Sequence, residues 1–395
     1  MIEPLRQAFN KDFTEVKYRR LLQRLDALCG MHIDFRVSET PLFVPSSLMH
    51  TMETAGREII LQLISNASYK KASDRTIPDE FRVPTEDDHP LFVSVDFGIT
   101  RDENGQLIPR LIELQGFPTL YAFQIVLSQQ YKEVFGLPRE ATSLLDDLHL
   151  EDYFALLRRA ILGDHDPANV VLLELDPLTQ KTRPDFILTE RACGIETVNI
   201  RDVIKDGRRL FYKKNNRQTR ILCIYNRAIV DEIVKSRARL PFSFRDELDV
   251  EWAGHPNWFF RLSKFSLPFI SHPAVPKTHF LSDVNGIPDD LQNWVFKPLY
   301  SFAGSGVVVS PTRADIDVIP ANERHRYILQ EKVDYGGIVE TPYGGTKAEV
   351  RIMYIWLDSL RAVSNLVRMG RGKMMGVDFN KNMSWVGSSA GFYLR

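Results

Sequence analysis

The sequence contains little cysteine, no excess of charge and no long apolar stretch, and each of these absences excludes a class of protein. Only three cysteines occur in 395 residues, and no two of them form a C-x-x-C pair. We therefore expect neither a disulfide framework nor a structural zinc site. This usage of cysteine suits a reducing compartment.

Charge and hydropathy narrow the function classes further. The formal net charge is −1, so no global field favours nucleic acid or an anionic membrane surface. No uninterrupted run reaches the roughly 18 apolar residues that a membrane-spanning helix needs. The N-terminal stretch MIEPLRQAFNKDF is charged and lacks the apolar region of a signal peptide. These features predict a cytoplasmic protein without membrane or nucleic-acid partners.

The chain is long enough for two or three lobes. The spacing of its apolar residues predicts different secondary structure in different parts of the chain. An apolar stripe behind a serine predicts a helix over residues 46–72. Strand and helix patterns alternate from 165 to 250, which predicts a small parallel, Rossmann-like lobe. Strand patterns return from residue 293, so we expect an α/β (α+β) fold. The predicted domains are residues 1–150, 151–251 and 252–395.

Residues 91–115 read as a β-hairpin that carries two acidic residues in apolar strands. Asn104-Gly105 is a strong turn signal, and a loop of these two residues alone would place Asp96 opposite Glu113. The same register sets Ser94 opposite Gln115. Directly opposed side chains have Cβ atoms about 4.5–5.5 Å apart, and like charges there repel. The pair therefore needs a cation, a proton or a basic side chain beside it.

Two interpretations of this carboxylate pair remain open from the residues alone. Hard cations such as Mg²⁺ prefer oxygen ligands, and Gln115 adds an amide oxygen on the same face as Glu113. In the other interpretation, an arginine from elsewhere in the fold neutralises the pair. The chain contains 50 lysine and arginine residues, so such a partner is easily supplied.

The segment VFKPLYSFAGSGVVVS places Lys297 inside an apolar run and then a loop with Gly304 and Gly306. Glycines let backbone N–H groups approach phosphates, and a nearby lysine supplies a compact positive charge. The segment is neither a Walker A loop nor a dinucleotide fingerprint. The alternative to a phosphate site is a lysine that extends to solvent beside a tight hairpin.

Residues 208–220, RRLFYKKNNRQTR, form a basic patch with aromatic residues. The pattern favours a solvated hairpin at the edge of the α/β lobe over a nucleic-acid surface. A second hairpin has its tip at Asp358-Ser359. A two-residue turn there would pair Glu349 with Arg368, so a cross-strand ion pair is one interpretation of that arginine.

Taken together, these segments resemble the ATP-grasp ligases. The likeness is greatest to the synthetase domain of glutathionylspermidine synthetase and its permuted relatives, and it spans about residues 46–370. In that family, metal ligands lie on a strand with D-F and a following strand with E-x-N. The matching positions in VDFGITRDENGQLIPRLIELQ imply that Asp96, Glu113 and Gln115 bind Mg²⁺.

The resemblance also implies an ATP site. RLSKFSLPFI resembles the family's S-N-K segment, VFKPLYSFAGSGV its phosphate-covering loop, and YILQEKV its strand at the adenine. The ATP-binding residues implied are Lys264, Lys297, Ser301, Ala303, Gly304, Ser305, Gly306, Gln330, Glu331, Lys332 and Val333.

The activity implied by the resemblance is ATP-dependent joining of a carboxylate to an amine through an acyl phosphate. The substrates would be small molecules or short peptides, with Arg351 and Arg368 as catalytic residues at the acyl phosphate or the substrate carboxylate. Two positions depart from the family: Gln115 replaces an asparagine, and Ser94 replaces an arginine. A catalytically silent ATP-binding protein and an ATP-dependent phosphotransferase therefore remain alternatives. The sequence does not determine the oligomeric state.

Overall fold

The computed structural model describes residues 1–284, 287–299 and 306–395. It contains helices together with parallel and antiparallel sheets, so the predicted α/β (α+β) fold class is confirmed. Most of the helical residues lie in the first half of the chain. The α-helices are α1 (Glu3–Asp12), α2 (Glu15–Cys29), α3 (Ser46–Ser65), α4 (Ala67–Ser73), α5 (Tyr121–Phe135), α6 (Leu150–Leu162), α7 (Arg183–Cys193), α8 (Val230–Ser236), α9 (Asn257–Arg261), α10 (Arg313–Asp317) and α11 (Val377–Asn380).

The strands form several sheets that bring together distant parts of the chain. They are β1 (Leu42–Phe43), β2 (Phe92–Arg101), β3 (Leu107–Gln115), β4 (Ala141–Thr142), β5 (Val170–Glu174), β6 (Glu196–Asn199), β7 (Ile204–Asp206), β8 (Arg209–Lys214), β9 (Arg217–Ile221), β10 (Cys223–Asn226), β11 (Glu251–Ala253), β12 (Thr278–Phe280), β13 (Trp294–Pro298), β14 (Val308–Val309), β15 (Tyr327–Glu331), β16 (Lys347–Trp356), β17 (Leu360–Gly370), β18 (Gly387–Ser389) and β19 (Gly391–Leu394).

A five-stranded antiparallel sheet with the order β18-β17-β16-β2-β3 lies at the centre of the fold. Side chains alternate between the two faces of a strand. On β2, Val93, Val95 and Phe97 join the apolar core that also contains the buried face of α3. Asp96 lies between them in sequence and therefore points to the opposite face. The sheet thus has one apolar face and one face that carries charged side chains.

Both long hairpins of this sheet have a three-residue loop and a β-bulge, whereas the sequence predicted two-residue turns. The first loop spans residues 103–105, since Asp102 N donates to Gln106 O, and the extra residue of the bulge is Ile112. The longer loop moves the register by one residue, and the bulge moves it back. The predicted pairing of Asp96 with Glu113 is therefore present, although the predicted turn is wrong.

The hairpin of β16 and β17 repeats this arrangement. Its loop spans residues 357–359, and Val363 is the extra residue of its bulge. The two displacements again cancel, so Glu349 pairs with Arg368 as the sequence predicted. In both hairpins the charged residues lie beyond the bulge, on the side of the strand that leads away from the loop.

The helix predicted over residues 46–72 is instead two helices that meet at Asn66. The backbone of Asn66 is extended (ψ 102°), which ends α3. Its side-chain oxygen accepts the N–H of Tyr69 at 3.0 Å and so caps α4. Asparagine favours such caps because its side chain satisfies a backbone donor that the helix cannot.

A four-stranded parallel sheet with the order β11-β10-β5-β6 forms a second unit. Its strands lie between residues 170 and 253, where α7 separates β5 from β6 and α8 separates β10 from β11. The basic patch at 208–220 forms β8 and β9 of a separate antiparallel sheet with β7, rather than an edge of the parallel sheet. The division of the chain at residues 150 and 251 stays a prediction, and β11 begins at Glu251 itself.

Another sheet, with the order β12-β15-β13-β14, is antiparallel and carries Lys297 and Gln330 on neighbouring strands. Its own small apolar core contains Phe296, Leu329 and Ile316. Among residues 1–284, 287–299 and 306–395, no helix combines the length and apolar character that crossing a bilayer requires.

Gly116 lets the end of β3 lie directly against the segment that leads to Lys264. Its N–H donates to Leu262 O at 3.2 Å, and a Cβ at this position would lie 2.4 Å from Trp258 O. The backbone at Trp258 cannot move aside as the end of a flexible side chain can. We therefore expect Gly116→Ala to lower the free energy of unfolding by about 1–3 kcal/mol, as overpacking does.

Urea denaturation of Gly116→Ala measures this loss. Gly336→Ala is the matched control, because its new Cβ would meet only the Ile338 side chain, at 3.3 Å. Equal stability of the two variants would contradict the close approach at Gly116.

Candidate functional site

The charged face of the central sheet opens into a cleft of about 1690 Å³. The walls of the cleft come from the central sheet, from the sheet that carries Lys297 and from the carboxyl end of the parallel sheet. Residues that line it include Glu113, Gln115, Lys264, Lys297, Glu349, Arg351 and Arg368. Chain stretches far apart in sequence thus contribute charged side chains to one space.

Asp96 is the most deeply buried of the charged residues on this face, with 1% of its surface exposed. Arg351 donates to both of its oxygens, from Nε at 2.6 Å and from Nη2 at 2.8 Å. Arg368 donates a further hydrogen bond to Oδ2. Burial opposes ionisation of the carboxyl group, but the two guanidinium groups hold the pKa of Asp96 below its ordinary value.

Arg368 also forms the cross-strand ion pair that the hairpin register suggested. Its Nη2 lies 2.7 Å from Glu349 Oε1, while the hydroxyl of Tyr335 donates to Glu349 Oε2 at 2.9 Å. Burial raises the pKa of Glu349, against the attraction of Arg368. Burial would lower the pKa of Arg368, but Glu349 and Asp96 raise it above its ordinary value. The side chains of Arg351, Asp96, Arg368 and Glu349 thus form one buried network in which positive and negative groups alternate.

Glu113 and Gln115 lie beside this network and face the cleft. Gln115 Nε2 donates to Glu113 Oε1 at 2.8 Å. Glu113 Oε2 lies 3.7 Å from the ammonium of Lys264. The hairpin therefore brings its second carboxylate to a lysine from a segment about 150 residues later in the chain.

The three predicted metal ligands differ in how well they fit Mg²⁺. Asp96 lies near Glu113 as predicted, but arginines occupy both of its oxygens, and it does not line the cleft. Glu113 and Gln115 do line the cleft. Proteins commonly bind Mg²⁺ through one or two carboxylates together with substrate phosphates, so these two residues fit an ion that enters with a phosphate ligand. Coordination by Asp96 stays a prediction that requires the fork of Arg351 to open.

Within the described ranges, no group of three or more His, Cys, Asp or Glu side chains is arranged to hold a metal ion. The carboxylates of Asp96, Glu113 and Glu349 all have basic partners in the protein. The cluster therefore does not need a metal ion to offset its negative charge.

Lys297 has its ammonium group inside the protein rather than in solvent. Only 7% of its surface is exposed, and Nζ donates to Gln330 Oε1 and, at 3.4 Å, to Ile112 O. Burial lowers the pKa of Lys297 to about 8, although Glu113 opposes this. A buried ammonium group at the wall of a cleft suits binding of an anion, because attraction to the anion would replace the favourable interaction with water that burial removed.

The other predicted ATP-binding residues divide into three groups. Gln330, Glu331, Lys332 and Val333 line the cleft. Gly306 has a φ of +69°, which favours glycine, and the next residue, Val307, lines the cleft. Ser301, Ala303, Gly304 and Ser305 lie outside the described residues, so their contact with phosphate stays a prediction.

Sequence analysis missed Glu174 and Arg227, which line the cleft from the parallel sheet. Glu174 is the last residue of β5, and Arg227 directly follows β10. Both are buried, and burial raises the pKa of Glu174 to about 8, against the attraction of Arg227. A sequence signal was present for Glu174, because it ends the continuous apolar run of β5.

Comparison with known proteins places the fold but not the activity. No family model and no curated protein matches this chain. Among solved structures, the chain is similar to a glutathione synthetase-like effector from Globodera pallida in its apo form, with a TM-score of 0.56. Sequence identity is 10%, and the match covers 95% of this chain and 97% of that one. The two proteins share a fold over nearly their whole lengths.

The ion pair of Asp96 should support the fold. We expect Asp96→Asn to lower the free energy of unfolding by about 3–5 kcal/mol, because it leaves the buried guanidinium group of Arg351 without the carboxylate that compensates its charge. Asp358→Asn is the control, since Asp358 forms the same bidentate pair with Arg159 in an exposed position. That variant should be nearly as stable as the wild type.

Urea denaturation without metal ions measures both variants. A ligand whose only role is to hold a metal ion would be dispensable under these conditions. Unchanged or increased stability of Asp96→Asn would therefore refute the structural role of this ion pair.

The pKa of Lys297 predicts how anion binding depends on pH. The side chain carries its charge below about pH 8 and loses it above. We expect the affinity for ATP to fall as the pH rises above about 8, because the phosphates then lose one positive partner. In Lys297→Met this part of the pH dependence should be absent, while the far-ultraviolet circular dichroism spectrum stays unchanged. Isothermal titration at several pH values provides the measurement, and identical pH profiles would contradict the assignment.

Proposed function

We propose that this protein is an ATP-dependent ligase that joins a carboxylate to an amine through an acyl phosphate. The observation that carries the proposal is the convergence of Lys264, Lys297 and Arg368 on one cleft beside Glu113 and Gln115. Lys264, Lys297, Glu113 and Gln115 come from segments that resemble the ATP-grasp ligases, and the guanidinium fork of Arg368 matches a carboxylate or an acyl phosphate. The fold supports the proposal, because it is shared with a glutathione synthetase-like effector.

In the first step, a carboxylate oxygen of the substrate would attack the γ-phosphorus of ATP. The bond from phosphorus to the β,γ-bridging oxygen breaks, and ADP leaves with that electron pair. The protein contributes position and charge, and little covalent help is needed. Lys264 and Lys297 would neutralise phosphate oxygens as charge shifts toward ADP.

In the second step, the amine would attack the acyl carbon of the acyl phosphate. A carbon–nitrogen bond forms, phosphate leaves, and the proton lost by the amine passes to phosphate or solvent. Of the two predicted catalytic arginines, Arg368 is the more accessible. It exposes 23% of its side-chain surface, against 7% for Arg351, whose Nε and Nη2 both bind Asp96. We therefore assign contact with the acyl phosphate to Arg368 first.

Mg²⁺ would reach the site bound to ATP and would supply charge neutralisation at the phosphates. Glu113 and Gln115 are the residues that would hold it, because both line the cleft and both carry side-chain oxygen atoms. Gln330 to Val333 would border the base of the nucleotide. These assignments follow the resemblance and the positions of the residues at the cleft.

A catalytically silent ATP-binding protein is the second candidate, and one observation favours it. Ser94 replaces an arginine expected two positions before Asp96, and it is buried on the same face, opposite Gln115 and Met353. A hydroxyl cannot supply the missing positive charge beside the transferred phosphoryl group. Binding without turnover is the consequence if that charge is essential.

The products of the reaction distinguish the candidates. The protein would be incubated with ATP, Mg²⁺ and pooled amino acids, short peptides and polyamines, and nucleotides, phosphate and new masses would be measured. We expect ADP, phosphate and a new amide, formed only when both substrates are present. Lys297→Met should abolish this turnover, whereas Lys373→Met, which changes an exposed lysine of the same cleft, should retain it.

Each other outcome points to a different function. AMP and pyrophosphate would refute an acyl-phosphate mechanism. ADP with a phosphorylated product and no amide would identify a phosphotransferase. ATP binding without turnover across the whole pool would favour the silent protein, and Ser94→Arg would then test whether the missing charge is the cause.

A further inference from the structure

The parallel sheet has a topological switch point that faces the cleft. From β5 the chain passes to β6 on one side, and the later strands β10 and β11 lie on the other side. In open α/β sheets, ligands bind outside the carboxyl ends of the strands where the order reverses. Here those ends carry Glu174 on β5 and Arg227 after β10, and both residues line the cleft.

Arg227 is buried without hydrogen-bond partners for much of its guanidinium group. Only 2% of the residue is exposed, and neither Nε nor Nη1 has a hydrogen-bond partner among the described residues. The guanidinium carbon lies 5.0 Å from the ring centre of Phe117 and 5.4 Å from that of Phe186. The rings hold the group in position and exclude water from it. A buried charge in this state is costly, so a ligand that pairs with it would recover that cost.

The nearest acidic groups do not satisfy Arg227. Asp185 is fully buried and accepts N–H groups of Leu120, Ala122 and Phe123 at 2.9–3.1 Å, which occupies its oxygens at the start of α5. Glu174 accepts the N–H of Leu175 at 2.8 Å. Neither carboxyl group lies within ion-pair distance of the guanidinium group among the described residues. Both carboxyl groups therefore interact with Arg227 through their charge, but neither forms a hydrogen bond with its guanidinium group.

We propose that Arg227 forms a carboxylate-binding subsite at the switch point of the parallel sheet. A planar guanidinium fork pairs with a carboxylate through two parallel hydrogen bonds. The buried carboxyl group of Asp185 repels a dianionic phosphate more strongly than a singly charged carboxylate. The subsite is built from elements other than those that carry Lys264 and Lys297. The inference deepens the proposed function, since this carboxylate would belong to a substrate of the ligase, in addition to any group that becomes phosphorylated.

A binding experiment without ATP or Mg²⁺ tests the subsite. Carboxyl-¹³C glutarate, a small dicarboxylate, would be titrated into the wild-type protein and followed by NMR. We expect saturable binding that inorganic phosphate does not displace and that weakens by about tenfold or more in Arg227→Met, because charge-assisted hydrogen bonds are lost. Arg75→Gln should bind glutarate like the wild type, because Arg75 is an exposed cation of the same cleft.

Thermal unfolding separates a binding role from a structural one. Because Nε and Nη1 have no hydrogen-bond partner in the part of the chain that the structure describes, Arg227→Met should fold and should melt close to the wild type. If that variant does not fold, Arg227→Lys decides the question: it keeps the charge but loses the fork, and its affinity for glutarate should fall. The proposal is overturned if the wild type shows no saturable binding, if phosphate displaces glutarate, or if Arg227→Met and Arg227→Lys bind as tightly as the wild type.

The result is independent of the ligase assignment. If no amide forms in the product assay, the ligase proposal is refuted, while glutarate would still be expected to bind. Failure of glutarate to bind a protein that still forms ADP and amide would remove only the subsite.

Discussion

The ion pair between Asp96 and Arg351 is the interaction on which the site depends. It joins the hairpin of β2 and β3 to the hairpin of β16 and β17, and residues 96 and 351 are 255 positions apart. Arg368 and Glu349 extend it to a third strand. Buried charges are stable only when they are paired and hydrogen-bonded, so the network admits few other arrangements of these strands. The geometry of the charged face follows from that requirement.

Two consequences extend from this network to the walls of the cleft. Arg351 and Arg368 form ion pairs with Asp96. Glu113 is therefore the carboxylate of the hairpin that faces the cleft and approaches Lys264. Lys297 then lies against the backbone of the hairpin at Ile112, the residue of the β-bulge. The bulge thus both restores the strand register and provides a carbonyl group for the buried lysine. The β-bulge at Ile112 and the position of the Lys297 ammonium group are therefore linked.

The wall formed by the parallel sheet has a different character. The sheet ends there in Glu174 and Arg227, which are both buried, and the guanidinium group of Arg227 lies beside the rings of Phe117 and Phe186. The charged side chains of the central sheet neutralise one another, whereas Nε and Nη1 of Arg227 have no hydrogen-bond partner among the described residues. Such incompletely satisfied groups are usual where a protein gives up stability for binding.

The sequence by itself determined the fold class, the apolar strands and the cross-strand pairs of Asp96 with Glu113 and of Glu349 with Arg368. These features are local, because side-chain alternation and turn residues act over a few positions. It did not determine the loop lengths, since a longer loop and a bulge compensate each other and leave the pairing unchanged. Only the tertiary structure decided that arginines neutralise Asp96 and that Arg227 reaches the cleft. Both depend on contacts between segments far apart in the chain, and a buried charge takes whichever partner the fold brings near it.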